Sequence, residues 1–495
     1  MTEPAQSIQI SLLSHTNVGK TSLARTLLRE DIGEVADRPH VTEFAESHVL
    51  IESNNGDSLV LWDTPGFGDS GRLLKRLQQI GQPIGWLLSQ VWDRFTDRPF
   101  WCSQQAMKTA RDASDVVLYV VSAGESPGSA AYVDVELQIL GWIGKPIVLL
   151  LNQLGPPRGS QETGVEVERW RAHMAAFPLV RSVLSFDAFA RCWVQESTLL
   201  EHVQPLLKEE QQPAFDRLRE AWTIRNREVF DRSMRILAKQ LAAVALDGES
   251  ITERTVKQKA RAWLGSVTST TPVEDATVNL AQQALAKRLD VRVRQTTEEL
   301  VRLHGLTGRA TEDVLQGIGR EFSVQRVADA DKAGLVGGIL SGALAGLAAD
   351  LAAGGLTFGA GALLGGVLGA FGTRELTRAY NLARGGETGT VRWSSEFLND
   401  RTAAAVIRYL AVAHFGRGRG EFVSSVEPAH WNAAVAAAIE VRRAALDSAW
   451  SSARERISSG SLEEMLEPTV AELVKDVLIR LYPDCAPVFV VNQKA

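Results

Sequence analysis

The residues best suited to chemistry in this chain are Ser14-His-Thr-Asn-Val-Gly-Lys-Thr21, set between the apolar run Ile8 to Leu13 and the helical stretch Ser22-Leu-Ala-Arg-Thr-Leu-Leu. The spacing is GxxxxGK[ST], with serine in the place of the first glycine. Strand, loop and helix in that order aim consecutive backbone N–H groups and the positive end of a helix dipole into one concavity, which suits phosphate oxygens. Asn17, Val18, Gly19, Lys20, Thr21 and Ser22 are the candidate phosphate-binding set. Lys20 supplies a point charge for a transferring phosphoryl group, Gly19 lets the backbone approach closely, and Thr21 offers a hydroxyl ligand to Mg²⁺. Asp63-Thr-Pro-Gly66 ends a second apolar run, Leu59 to Trp62. There Asp63 would hold Mg²⁺ and the Gly66 N–H would report a γ-phosphate. Thr42 is the one threonine between Ile32 and Trp62, so a threonine that ligates Mg²⁺ only when the γ-phosphate is present has to be this one. The expected metal set is therefore Thr21, Thr42 and Asp63.

Six short apolar runs would position these residues: Ile8 to Leu13, Ser47 to Glu52, Leu59 to Trp62, Val116 to Val121, Ile147 to Leu151 and Val180 to Leu184. Their alternation with amphipathic stretches predicts an α/β domain over residues 1–207, a mostly parallel sheet covered on both faces. Between Gly66 and Val116 the chain carries Leu73, Leu74, Leu77, Trp86, Leu87, Val91, Trp92, Phe100 and Trp101. That pattern fits packing on the helical half, or a docking surface for a partner or a second copy. After Pro205 strand signals nearly vanish. Phe230, Met234, Leu237, Leu241 and Val244 recur at helical spacing, as do Leu285, Leu289, Leu300 and Leu303, so a large all-α domain is expected. It divides into a helical region over 208–332, a glycine-rich apolar hairpin over 333–373 and a C-terminal helical region over 374–495.

The 495 residues suggest about three units, and 45% hydrophobic with 23% charged residues excludes a disordered or collagen-like chain. With 53 Lys+Arg against 59 Asp+Glu the net charge is −6, so no global basic excess is available for nucleic acid, which is not an expected partner. Cys102, Cys192 and Cys485 are too scattered for a zinc site or a disulfide framework. Met1-Thr-Glu-Pro-Ala-Gln has neither the basic nor the apolar region of a secretory leader. A cytoplasmic location is expected.

Asn17 before Val-Gly-Lys, Asp63-Thr-Pro-Gly66 and the strand-terminal Asn152 together resemble the translation-factor-related GTPases of the TrmE and Era group, over about the first two hundred residues. The resemblance implies GTP as ligand, hydrolysis at the γ-phosphate, and Asn152 as part of the base-binding set. It also implies Lys20, Thr42 and Asn17 as the catalytic residues, with Asn17 helping to hold a potassium ion against the phosphates. The group's fourth motif is Asn-Lys-x-Asp, and here Gln153 replaces the lysine and Gly155 the guanine-reading aspartate. The preference for guanine over adenine is thereby left open. Ser185-Phe-Asp stands where Ser-Ala-Lys belongs, and Phe67 stands where Ras-like proteins carry the glutamine that orients water. A degenerate, non-hydrolysing scaffold is the alternative.

From Ala333 to Ala349 and again from Leu351 to Thr373 no residue is charged, Asp350 being the interruption. Gly334, Gly338, Gly342 and Gly346 recur every fourth position, as do Gly361, Gly365 and Gly369, the small-xxx-small arrangement of closely packed helices. Each helix would reach roughly 25 Å against a hydrocarbon core of about 30 Å. Arg326, Lys332, Arg374 and Arg378 flank the pair and would lie on the cytoplasmic side. The hairpin either enters or lies on the inner face of the cell membrane, or packs as a buried pair within a soluble bundle. A GTPase-like front joined to this helical back, with Asp187-Ala-Phe-Ala-Arg-Cys-Trp193 at the junction, resembles bacterial GTPases carrying a DUF3482-type domain. Expected partners are a nucleoside triphosphate, a membrane or membrane protein, and a second copy of the chain. His15 and His40 sit where they could touch nucleotide, or stay solvated. Gly416-Arg-Gly-Arg-Gly420 reads as a loop.

Overall fold

The computed structural model describes residues 4–29, 44–79, 85, 97–153, 160–186, 192–252, 273–306, 380–385, 388–415, 429–455 and 457–490. The chain divides into two compact units, one of Met1–Glu228, Ala413–Phe422 and Leu481–Ala495, the other of Val229–Val412 and Val423–Arg480.

In the first unit β1 (Ser7–Ser14), α1 (Lys20–Leu28), β2 (Glu46–Glu52), β3 (Ser58–Asp63), α2 (Ser70–Leu77) and α3 (Arg98–Asp112) are followed by β4 (Val116–Ser122), α4 (Ala131–Gly141), β5 (Ile147–Asn152), α5 (Ser160–Met174), β6 (Val180–Ser185) and α6 (Trp193–Val203). All six apolar runs are strands. They form one sheet of order β2-β3-β1-β4-β5-β6, antiparallel only at β2–β3 and parallel elsewhere. Strands β4 and β5 are buried almost throughout, as continuous apolar runs covered on both faces must be. Leu12 on β1 lies opposite Asp63 on β3, so the loops leaving their carboxyl ends emerge together, the usual place for a ligand in an open α/β sheet.

The stretch after Gly66 belongs to the core of this unit and not to the helical half. Leu73, Leu74 and Leu77 of α2 and Phe100 of α3 are buried with Phe67, Val117, Tyr119 and Val121. They cover the sheet on one face, which an α/β layer requires. Trp86, Leu87, Val91 and Trp92 lie outside the described residues. At the other end of the chain, Phe489 of α12 (Ala486–Val490) meets Trp193 edge-on at 5.7 Å.

The second unit holds α7 (Gln212–Ala245) from Val229 on, β7 (Gly248–Thr252), α8 (Val273–Leu303), β8 (Tyr380–Gly385), β9 (Thr388–Trp393), α9 (Ser395–Ala413), α10 (Ala429–Arg454) and α11 (Ser459–Leu481). Phe230, Met234, Leu237, Leu241, Val244, Leu285, Leu289 and Leu300 are all buried. The second half is largely helical as expected, and departs from all-α in a three-stranded antiparallel sheet of order β7-β9-β8. Short strands of mixed composition, such as Gly248-Glu-Ser-Ile-Thr252, carry no two-residue apolar period to announce them. Among the described residues no helix is long and apolar enough to cross a membrane. The glycine-rich segment 333–373 lies outside them, as do Asp187 to Arg191, Arg326, Lys332, Arg374, Arg378 and the Gly416 to Gly420 string.

Candidate functional site

Two left-handed residues shape the loop after β1: Asn17 with φ 64° and Gly19 with φ 87°. Asparagine tolerates that region better than most side chains. Glycine is obligatory at 19, because a Cβ there would stand 2.8 Å from Asn152 Nδ2. Ser14 is not among the residues with positive φ, so the pattern's first glycine is dispensable here. Its hydroxyl accepts a hydrogen bond from Lys20 Nζ at 3.0 Å and donates one to the His15 carbonyl at 2.5 Å.

Lys20, Thr21 and Asp63 converge. Thr21 Oγ1 donates to Asp63 Oδ2 at 2.7 Å, while Asp63 Oδ1 is buried with no partner. Burial draws the Lys20 ammonium below its ordinary pKa, against the pull of Asp63 and Glu136. Burial likewise pushes the Asp63 carboxyl up, against Lys20 and the Thr21 hydrogen bond. A sealed carboxylate with one open oxygen and a hydroxyl beside it are oxygen donors that fit a hard divalent cation, while the helix N-terminus suits the anion that would accompany it. Among the described residues no three His, Cys, Asp or Glu side chains gather, so a metal here would depend on Thr21, Asp63 and oxygens of the ligand.

The loop after β3 is pressed against the phosphate loop. Phe67 N–H donates to the Ser14 carbonyl at 2.9 Å, Thr64 Oγ1 donates to the Leu12 carbonyl at 2.6 Å, and a Cβ on Gly66 would come within 2.9 Å of Thr16 Cα. The Phe67 ring is fully buried in the core. From the far side Asn152, also fully buried, donates from Nδ2 to the Val18 carbonyl at 2.8 Å. Gln153 is left-handed with φ 56°, and its Nε2 would lie 3.5 Å from a Cβ on Gly19. Ser22 is buried in α1, its carbonyl accepting from Thr26 Oγ1. Ser185 ends β6, paired with Leu151. Thr42, His40 and Gly155 lie outside the described residues.

A family model described as a domain of unknown function, DUF3482, matches residues 171–479, more than half of the chain. The chain belongs to the DUF3482 family. A second model, described as 50S ribosome-binding GTPase, matches residues 9–153 of this DUF3482 member. Its N-terminal α/β domain is of the P-loop GTPase family, with the mostly parallel sheet of that class and a largely helical region after it. No curated protein matches the chain. Among solved structures it is similar to Era from Aquifex aeolicus bound to GDP and aluminium fluoride, at 16% identity over 41% of this chain and 58% of that one, TM-score 0.30. Era in complex with MgGDPNP and part of 16S ribosomal RNA matches at 15% identity over 41% and 58%, TM-score 0.31. The FeoB G-domain from Methanococcus jannaschii matches at 18% identity over 36% and 85%, TM-score 0.21. The chain thus spans less than two thirds of the length of the Era structures.

The structure adds residues to the site of this family member that motif spacing does not reveal. Glu136 of α4 is fully buried. His15 Nδ1 hydrogen-bonds Glu136 Oε1 at 2.7 Å, and Tyr119 from β4 donates its hydroxyl to Glu136 Oε2 at 2.6 Å. The His15 ring packs on Tyr132, with centroids 4.5 Å apart. This histidine of the phosphate loop therefore points at a carboxylate below it and is tied to the sheet. The signal was present in sequence: Glu136 falls among Val133, Leu137 and Leu140, on the face of α4 that is buried.

Proposed function

We propose that this DUF3482 member is a P-loop switch that binds a nucleoside triphosphate, GTP by family, and hydrolyses it at the γ-phosphate. The observation that carries this reading is the Lys20, Thr21 and Asp63 group under a loop of left-handed Asn17 and Gly19. In it Lys20 balances charge on the β- and γ-phosphates while the N–H groups of Asn17 to Thr21 cradle them. Thr21, Asp63 and, when the γ-phosphate is present, Thr42 would hold Mg²⁺, which when bound neutralises phosphate charge. The Gly66 N–H senses the γ-phosphate. Phe67, at the place of the water-orienting glutamine, is sunk in the core, which favours Asn17 as one ligand of a potassium ion. The helical unit converts nucleotide state into an event at a membrane or protein partner, on the cytoplasmic side.

Replacing Lys20 by Ala abolishes triphosphate binding in a calorimetric titration; retained affinity defeats the reading. Turnover is faster in potassium than in sodium, and equal rates remove Asn17 from that role. The absence of a guanine-reading aspartate, Gly155 standing in its place, favours a second reading, a nucleotide-binding scaffold without hydrolysis. Phosphate release above background excludes it, and titrating the four nucleoside triphosphates side by side sets the base preference.

A further inference from the structure

A cavity of ≈ 520 Å³ lies between α7 and α8 in the helical unit, within the range of roughly 300–1,000 Å³ typical of small-molecule sites. Arg232, Arg235 and Lys239 of α7 and Arg302 of α8 line it, with Glu299 as the only carboxylate among its lining residues. Its apolar surface comes from Ile236 and Leu303, which are partly buried.

The spacing of the α7 residues places them on one face of the helix, three and four apart. Like charges at that spacing repel and destabilise a helix by about 0.2–0.5 kcal/mol per pair. Arg302 is in the last turn of α8, where the helix dipole favours a cation. Arg232 and Lys239, in mid-helix, have no such support. Arg235 also pairs with Glu467 of α11 at 3.3 Å, so four cations line the cavity with Glu299 as the lining carboxylate and Glu467 held by one of them, and a positive excess remains. A concave site with guanidinium forks around an apolar floor matches a phosphate ester bearing an apolar or ring-shaped body. No serine, threonine, cysteine or histidine is among its lining residues, and the site is read as one that binds.

We propose that this groove is a second anion site, separate from the phosphate loop, for a phosphorylated small molecule. Arg232, Lys239 and Arg302 grip the phosphate while Ile236 and Leu303 receive the apolar part.

The test uses the full chain carrying Lys20→Ala, which silences the first site, titrated calorimetrically with inorganic pyrophosphate. One equivalent is expected to bind, and adding Arg232→Ala with Lys239→Ala should weaken it about tenfold or more. Arg232→Lys in the same background, which keeps the charge and loses the fork, should fall between the two. Both substituted side chains are exposed, and unchanged thermal unfolding verifies the fold. Flotation with phosphatidylcholine vesicles containing phosphatidic acid separates the sources: binding lost in the double variant assigns the phosphate to a lipid headgroup, and no flotation with retained pyrophosphate binding assigns it to a free ester. The inference falls if the Lys20→Ala chain binds no pyrophosphate, or binds it equally well without Arg232 and Lys239. Neither result touches the phosphate-loop reading, which stands on triphosphate binding by the unmutated chain.

Discussion

In the sheet unit Asp57 and Glu136 are carboxylates with no exposure to solvent, and strong donors meet the oxygens of each. Asp57 accepts from the Gln6 N–H at 3.0 Å, from Ser53 Oγ at 2.7 Å, and from Arg217 Nε and Nη2 at 2.7 and 3.1 Å. In the helical unit α9 buries Asp400, Arg401 and Arg408, and there Asp400 Oδ2, Arg401 Nε and Nη2, and Arg408 Nε have no partner. Arg408 does donate to Gln240 at 2.9 Å, and the Arg401 guanidinium lies 5.0 Å over the Phe397 ring, a partial compensation. The titration behaviour diverges accordingly. The Arg217 fork holds Asp57 well below the usual carboxylate range, whereas burial raises Asp400 to about 6 and lowers Arg401 to about 10 and Arg408 to about 9. An answered buried charge fixes geometry, and Glu136 uses it to anchor His15. An unanswered one mainly subtracts stability.

The largest effect expected from this contrast is at Glu136. Glu136→Ala deprives His15 and Tyr119 of their acceptor, costing about 4 kcal/mol in urea unfolding of the sheet unit, and triphosphate affinity should fall with it. Lost stability at unchanged affinity would make the network purely structural. Next, Arg217→Ala leaves Asp57 short of its bidentate partner, at a cost of about 3 kcal/mol at pH 7. Because the folded Asp57 pKa is depressed, that contribution is present above about pH 4 and is lost as pH falls through the folded value. Wild type and variant should therefore converge in acid. The smallest effect has the opposite sign. Asp400 has a raised folded pKa, so its contribution is present below about pH 4 and is lost as pH rises through about 6. Asp400→Asn should gain about 2 kcal/mol at pH 8 and nothing at pH 4. Parallel pH profiles for the two chains would break the contrast between Asp57 and Asp400.

Much of the sheet unit was legible because its chemistry is local. A strand, a loop and a helix in succession make a candidate phosphate site, and buried parallel strands read as unbroken apolar runs. The register that sets Leu12 opposite Asp63 follows from the sheet order, which no local pattern states. What escaped were long-range pairings: Glu136 with His15, Asp57 with Arg217, and β7 with β9. Strand β9 had half a signal, since Val391 and Trp393 alternate inward, and β8 a like one in the two-residue spacing of Tyr380 and Leu382, but β7 offered none. The leucines of α2 were correctly read as apolar, while their partner layer was not deducible from spacing.

The fit of Gly66 against Thr16, too close to admit one extra methyl, leaves no slack between the two loops. Parts in such contact act as a clutch already engaged: a push on the phosphate loop must travel into Phe67 and on toward α2 without lost motion. On the proposed reading, that linkage would pass the departure of a single phosphate on as a displacement of the chain.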